Sequence, residues 1–413
     1  MSFNKVSVIG LGYIGLPTAA VIASRGIDVV GIDVNQHAVD TINAGNIHIV
    51  EPDLDIAVRS AVTVGKLRAT TTPEPAEVFM VAVPTPFKGD NHQPDLSYIE
   101  AAANAIAPVL EKGNLVILES TSPVGTTEKL SEWLQQARPD LSFPHDKGDA
   151  ADINVAHCPE RVLPGYVMQE LISNDRVIGG LSDKCSEKAA SLYQTFVRGE
   201  CIITNARTAE MAKLTENSFR DVNIAFANEL SVICEKLKIN VWELVKLANR
   251  HPRVNILNPG PGVGGHCIAV DPWFIVDSCP DEANIIRQAR LTNDAKPHYV
   301  IEQITKAADE FKRPVIACLG LAFKADIDDL RESPALQIVE ELAGMGIGQV
   351  ITVEPNIHTL PEKLIEKGVE LTTLESALEQ ANVIVVLVDH KQFKAADKTQ
   401  FATKVVIDTR GII

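Results

Sequence analysis

Residues 6–33 constrain the fold more than any other stretch of this 413-residue chain. An apolar run at 6–10 breaks at Gly10-Leu-Gly12-Tyr13-Ile14-Gly15 and continues without charge to Ser24. A second apolar run follows at 28–33. Near-continuous apolar strands joined by helical crossovers belong to parallel sheets covered on both faces. Glycines spaced G-x-G-x-x-G between such a strand and helix let the backbone approach a pyrophosphate at the helix N-terminus. Asp33 closes the second strand 18 residues beyond Gly15. A carboxylate there suits the free 2′-hydroxyl of a ribose and repels a 2′-phosphate, so NAD is the expected cofactor. Lys5 ahead of the uncharged run imitates a signal peptide. The glycines, Pro17 and the strand that follows argue against that reading. No other run approaches a membrane span, so a cytoplasmic protein without membrane contact is expected.

A chain of this length exceeds one core of ordinary size, and two or three domains are expected. Further strands are predicted at 67–70, 78–83, 115–119 and 153–156, with helices at 98–110 and 126–136 and an exposed loop at 138–150. Residues 206–237 then contain neither Gly nor Pro, which as one helix would be about 48 Å long. Helical stretches follow at 241–248 and 281–311, the latter with Pro297 as a kink. After Arg313 the alternation returns, with strands at 315–321, 350–353, 383–388 and 405–408 and helices at 335–343 and 374–381. The fold class read from this is α/β. An N-terminal Rossmann NAD-binding domain (1–205) precedes a central long-helix region (206–312) and a smaller C-terminal Rossmann-like domain (313–413). A long helix between two sheets serves either as a dimer spine or as a plain connector.

The formal charge of −16, with no basic stripe, speaks against a nucleic-acid binder but not against an anionic small molecule held by local Arg and Lys. Seven cysteines lie at irregular spacing without a CxxC pair. That pattern fits reduced thiols, not a disulfide framework or a zinc site, and no metal is expected.

The loop Asn258-Pro-Gly-Pro-Gly-Val-Gly-Gly-His266-Cys267 is the most informative for chemistry. Glycines so dense mean that the backbone approaches something closely or adopts positive φ. Asp271 and Pro272 resemble a helix start, Asp as N-cap and Pro at N1. A cysteine just ahead of that start could have its thiolate stabilised by the helix dipole. On the long helix, Lys213, Asn217 and Arg220 share one face at i, i+4 and i+7. Asn223 and Asn228 make the helix rich in amides. Glu119-Ser-Thr121 and Cys158-Pro-Glu160-Arg161 recur beside strand ends, where doubly wound sheets bind ligands.

Together the strings GLGYIGLP, VAVPTP, ESTSPVGT, CPERVLPG, AEMAKLTENSFRDVNIAFANEL, GPGVGGHC, LGLAFKADIDDLRESP and DTRG resemble the UDP-glucose/GDP-mannose dehydrogenase family over the full length. CPERVLPG, ANRHPRVNIL and GVGGHCIAVDPWF are most similar to the branch acting on UDP-N-acetyl-D-mannosamine. The UDP-glucose branch carries a GFGGSC-type loop where this chain has Val263 and His266. The resemblance implies NAD-dependent four-electron oxidation of a UDP-sugar by two domains flanking a helical homodimer core. It implies Cys267 as nucleophile, Lys213 as its proton-transfer and oxyanion partner, and Asn217, Asp271, Thr121 and Glu160 beside them. Tyr13, Ile14, Asp33, Thr85, Thr126 and Arg331 match NAD positions. Arg161, Val162, Arg220, His251, Arg253, Gly264, Lys324 and Arg410 match sugar-nucleotide positions, with Lys213 and Asn217. Glu119 stands where UDP-glucose dehydrogenases often carry lysine. Competing expectations are a UDP-N-acetylglucosamine or UDP-glucose 6-dehydrogenase, a two-electron hydroxyacid dehydrogenase, and an NAD-binding protein without activity.

Overall fold

A computed structural model describes residues 3–89, 91–163, 165–265 and 267–413; His266 lies outside the described residues. Two compact units emerge, Met1–Glu216 and Asn217–Ile413, and the division falls inside one helix, Ala206–Leu237.

The first unit is built on an eight-stranded sheet, in the order Cys201–Asn205, Arg176–Gly180, Asn154–His157, Leu115–Leu118, Val78–Val81, Lys5–Ile9, Asp28–Ile32, Leu67–Thr70. All neighbours pair in parallel except Asn154–His157 with Arg176–Gly180. Strand order reverses between Lys5–Ile9 and Val78–Val81, which creates a crevice beyond their carboxyl ends. The central strands, such as Val78–Val81 and Leu115–Leu118, read as unbroken apolar runs because both faces are covered. Val8, Leu16 and Ile22 pack on one side, Phe79, Leu130 and Phe143 on the other.

The last two strands, Arg176–Gly180 and Cys201–Asn205, carry no clear apolar pattern and were not expected. Cys201–Asn205 is a half-exposed edge whose place is set by its neighbour. The 138–150 stretch corrects the expectation of an exposed loop. It holds the short helix Pro144–Lys147, and Leu141 and Phe143 are buried in the core below it.

In the second unit, helices Val241–Ala248, Asp271–Ser278 and Asn284–Ala308 precede a parallel sheet in the order Glu370–Leu371, Gln349–Val353, Val315–Leu319, Val383–Val386, Val405–Asp408. Pro297 lies within the continuous helix Asn284–Ala308. The two sheets share a device at the first strand's tip. In the first, Gly10 N donates to Ile32 O (2.8 Å) and Leu11 N to Asp33 Oδ2 (2.9 Å). In the second, Gly320 N donates to Val353 O (2.8 Å) and Leu321 N to Glu354 Oε2 (2.7 Å). They part at the acid: Glu354 is buried against His390 Nε2 at 3.0 Å, whereas Asp33 is half-exposed. No helix among the described residues is long and apolar enough to cross a membrane.

Candidate active site

Five adjacent strand tips of the first unit hold most of the expected residues. Ile32, Ile9, Val81, Leu118 and His157 stand level across the sheet. Just beyond them follow Asp33, Gly10, Thr85, Thr121 and Glu160. Gly10 has φ +91°, and a Cβ there would sit 2.5 Å from Ala82 O. A Cβ on Gly15, first residue of helix Gly15–Ala23, would lie 1.8 Å from Gly10 O. Only glycine lets the helix start this close to the strand. Gly12 and Tyr13 are exposed at the turn and Ile14 is half-buried. Asp33 is oriented by Leu11 N on one oxygen and Asn35 N on the other, both at 2.9 Å.

The hydroxyl of Thr85 is buried without a protein partner. Thr126 opens helix Thr126–Ala137, and its hydroxyl donates to Pro123 O at 2.6 Å. Glu210 holds that helix start, accepting from Gly125 N (2.6 Å) and Thr127 N (2.8 Å); burial raises its pKa despite those bonds. A turn closed to a Cβ at Gly10 and Gly15, an oriented acid and an unmatched buried hydroxyl fit a dinucleotide.

Thr121 is half-buried. Glu160 is buried with both oxygens engaged: Oε2 accepts from Arg176 Nη1 (2.7 Å) and Oε1 from Arg161 N (2.6 Å). Those contacts make it an anchor for the next residue. Arg161 forms a forked pair with Glu216, at 3.1 Å and 2.6 Å. Val162 packs half-buried against the core.

In the second unit, Cys267 is exposed in a turn, and its carbonyl accepts from Val270 N (3.1 Å) and Asp271 N (2.9 Å). Asp271 corrects the expected N-cap. It is the first residue of helix Asp271–Ser278, and Val270 occupies the cap position. Its carboxylate is turned instead to the long helix, where Oδ2 accepts from Asn217 Nδ2 at 2.5 Å, both residues being buried. Lys213 lies one turn before Asn217 on that helix, half-buried. The glycine loop is tightly seated: a Cβ on Gly264 would be 2.3 Å from Glu332 O and 2.6 Å from Pro334 Cδ.

At the loop's start, Gly260 N donates to Asn228 Oδ1 (2.9 Å), and a Cβ on Gly260 would meet Arg410 Nη1 at 2.7 Å. Arg410 is aimed by Asp389 (2.6 Å). Burial opposes charge on Asp389, but Lys394 and Arg410 hold its carboxyl down at about 2. Arg220, His251, Arg253 and Lys324 are exposed, and Arg331 chelates Asp329 at 2.8 Å and 2.6 Å.

Sequence reasoning missed Arg176, Tyr193, Glu210 and Asp389. Glu210 sits three residues before Lys213 in the AEMAK string, which was its only available signal.

Comparison with known proteins places these residues in context. Models of the UDP-glucose/GDP-mannose dehydrogenase family match residues 4–197 (NAD binding domain), 207–295 (central domain) and 317–413 (UDP binding domain). An NDP-N-acetyl-D-galactosaminuronic acid dehydrogenase of Ralstonia nicotianae is 66% identical over 412 residues, covering 100% of this chain and 97% of that protein. A UDP-N-acetyl-D-mannosamine dehydrogenase of Campylobacter jejuni is 66% identical over 392 residues, covering 95% and 96%. Among solved structures, a UDP-D-ManNAc dehydrogenase from Pyrococcus horikoshii superposes with a TM-score of 0.89 at 40% identity, covering 99% of this chain and 96% of that one.

Proposed function

Since the chain belongs to the UDP-glucose/GDP-mannose dehydrogenase family, we propose that it oxidises the C6 alcohol of UDP-N-acetyl-D-mannosamine to the carboxylate with two NAD per turnover. The observation that carries this is full-length similarity joined to an exposed cysteine in a seated glycine loop. When bound, NAD supplies the hydride acceptor for each of the two oxidations.

Our reading assigns the remaining chemistry to this chain's residues. The first oxidation turns the alcohol into an aldehyde, whose trigonal carbon, left unhydrated, cannot lose a second hydride. Cys267 Sγ adds to that carbon, and the resulting thiohemiacetal is tetrahedral and oxidisable. Its oxidation leaves a thioester on Sγ, which water hydrolyses to the acid and the free thiol. Lys213 takes the alcohol proton and then donates to each oxyanion. Asn217 commits one amide N–H to Asp271, and its second remains available as a donor to the same oxygen. Asp271 orients that amide, Thr121 borders the site, and Glu160 holds the Arg161–Val162 segment toward the sugar nucleotide. Gly10, Gly12, Tyr13, Ile14, Gly15, Asp33, Thr85, Thr126 and Arg331 are assigned to NAD. Arg220, His251, Arg253, Gly264, Lys324 and Arg410 are assigned to the UDP-sugar.

A second reading, an NDP-N-acetyl-D-galactosamine substrate, is favoured by the Ralstonia relative. Both sugars carry a 2-acetamido group; they differ in configuration at C2 and C4. Supplied limiting, UDP-N-acetyl-D-mannosamine should give two NADH and one carboxylate per sugar. It should outpace the N-acetylgalactosamine, N-acetylglucosamine and glucose nucleotides in kcat/KM. One NADH with released aldehyde would sink the covalent route, and preference for another sugar would reassign the substrate. We also read the protein as a cytoplasmic homodimer joined through the long helix.

A further inference from the structure

Behind Glu160, a buried cluster beneath the Thr121 and Arg161 strand tips holds three groups, Glu119, Arg176 and Tyr193, that this chemistry does not use. Glu119, 2% exposed, directly follows Leu115–Leu118. Tyr193 OH donates to its Oε1 at 2.8 Å, and Oε2 is buried with no partner. Arg176 on the neighbouring strand gives Nη1 to Glu160 Oε2 (2.7 Å) and Nη2 to Leu171 O (2.9 Å), while its Nε is buried with no acceptor. The guanidinium carbon stands 5.8 Å from the centre of the Tyr193 ring, which ties both halves of the cluster together. Cys158 completes it. Two acids thus lie in the field of one cation, which bonds Glu160 alone of the two, and the cluster holds one unmatched acceptor and one unmatched donor.

We propose that Glu119 is a positioning residue: by gaining or losing a proton it decides how firmly Arg176 holds Glu160, and through Glu160 the segment carrying Arg161. This rests on reading Arg161 and Val162 as sugar-nucleotide contacts. With Glu119 neutral, Arg176 and Glu160 form a balanced buried pair, and Glu160 Oε1 is fixed on Arg161 N. With Glu119 ionised, the cluster carries an extra buried negative charge, which is costly unless the cation moves to share it. The unmatched Nε and Oε2 are the groups that would mate, at the expense of Glu160.

Both forms occur near neutrality. Burial, then the charge of Glu160, pushes the Glu119 carboxyl up to about 7 against the opposing pull of Tyr193 and Arg176. Burial also raises the Cys158 thiol and the Tyr193 phenol, so neither ionises in this range.

The test is the KM for the UDP-sugar from about pH 6 to about pH 8.5, with kcat followed in parallel. Wild type should show KM rising several-fold across neutrality. Glu119→Gln keeps the Tyr193 bond and stays neutral, so it should hold the low-pH KM throughout with the wild-type kcat profile. Tyr193→Phe removes a donor that favours the ionised form, so the rise should move to higher pH. Infrared titration of the full-length protein needs no turnover: a protonated-carboxyl band should fade across neutrality in wild type and be missing in Glu119→Gln. A wild-type pH dependence of KM surviving in Glu119→Gln, or no titrating band in wild type, overturns the proposal. Failure to oxidise any UDP-sugar would overturn the functional reading instead, and the infrared result would still decide the role of Glu119.

Discussion

Cys158, Cys185, Cys234 and Cys318 are buried and Cys201 is half-buried, which leaves Cys267 and Cys279 exposed. Burial pushes the Cys318 thiol up to about 12 and raises that of Cys158 as well, so neither supplies thiolate near neutrality. Cys267 alone among the seven follows the glycine loop and precedes the helix whose first carboxylate holds Asn217. Cys267→Ala should therefore keep NAD and sugar-nucleotide binding yet lose acid formation, with kcat down by a factor on the order of 10³ or more. Lys213→Ala should lower kcat by roughly 10²–10⁴ through lost proton transfer and oxyanion stabilisation. The double variant should be little worse than either, because both act on the same intermediates. Mass spectrometry of Lys213→Ala incubated with substrate should find any adduct on Cys267; an adduct on Cys279 would redirect the assignment.

Helix Ala206–Leu237 presents two unlike faces over its second half. One is a buried polar seam: Asp221 accepts from Arg290 Nη1 (2.5 Å) and Asn293 Nδ2 (2.8 Å), and Asn228 donates to Asn293 Oδ1 (2.9 Å). Asn228 then accepts from Gly260 N, which explains the amides that looked wasteful on a solvated helix. The opposite face is apolar and exposed: Phe219 69%, Phe226 52%, Ile233 42% and Leu237 62%. The first three recur every seven residues, which gives one stripe along the helix. Fully burying such a side chain is worth about 1.5–3 kcal/mol, so a second copy laid along this stripe would gain substantially. Phe226→Glu should convert a dimer to monomer in sedimentation velocity while leaving the helical circular dichroism unchanged. A wild-type monomer, or a variant that stays dimeric, would reject the stripe as the interface.

Across the whole molecule, we propose three parts, 1–205, 206–312 and 313–413, beside the two compact units Met1–Glu216 and Asn217–Ile413 that divide inside the long helix. The family models give NAD binding to the domain of the first sheet and UDP binding to that of the second, and the tip acids accord with the first of these. Asp33 is half-exposed and oriented, whereas Glu354 is closed over by His390. A ribose could reach the first and not the second. Hydrogen exchange should accordingly show NAD slowing amides around 10–15 and 33–36, and UDP slowing those around 260–265 and 408–411. Protection by NAD at 320–325 in place of 10–15 would reverse the assignment.

Local pattern carried much of this protein. The apolar strands and the helix at 206–237 are set by neighbours within a few turns of chain, and the sequence displays them directly, as it displays the glycine turn with Asp33 and the cysteine loop as motifs. Tertiary structure decided what depends on partners far along the chain. Asp271 satisfies local rules as an N-cap, yet it turns to Asn217, 54 residues away, because a buried amide needs an acceptor. Strands Arg176–Gly180 and Cys201–Asn205 lack a strong pattern of their own and exist through the sheet edge they extend. Glu119 looked like an odd residue where lysine is common. Its role appears only when Tyr193, 74 residues on, and Arg176 close around it in a dry cluster, where an unshared charge is too costly to leave alone.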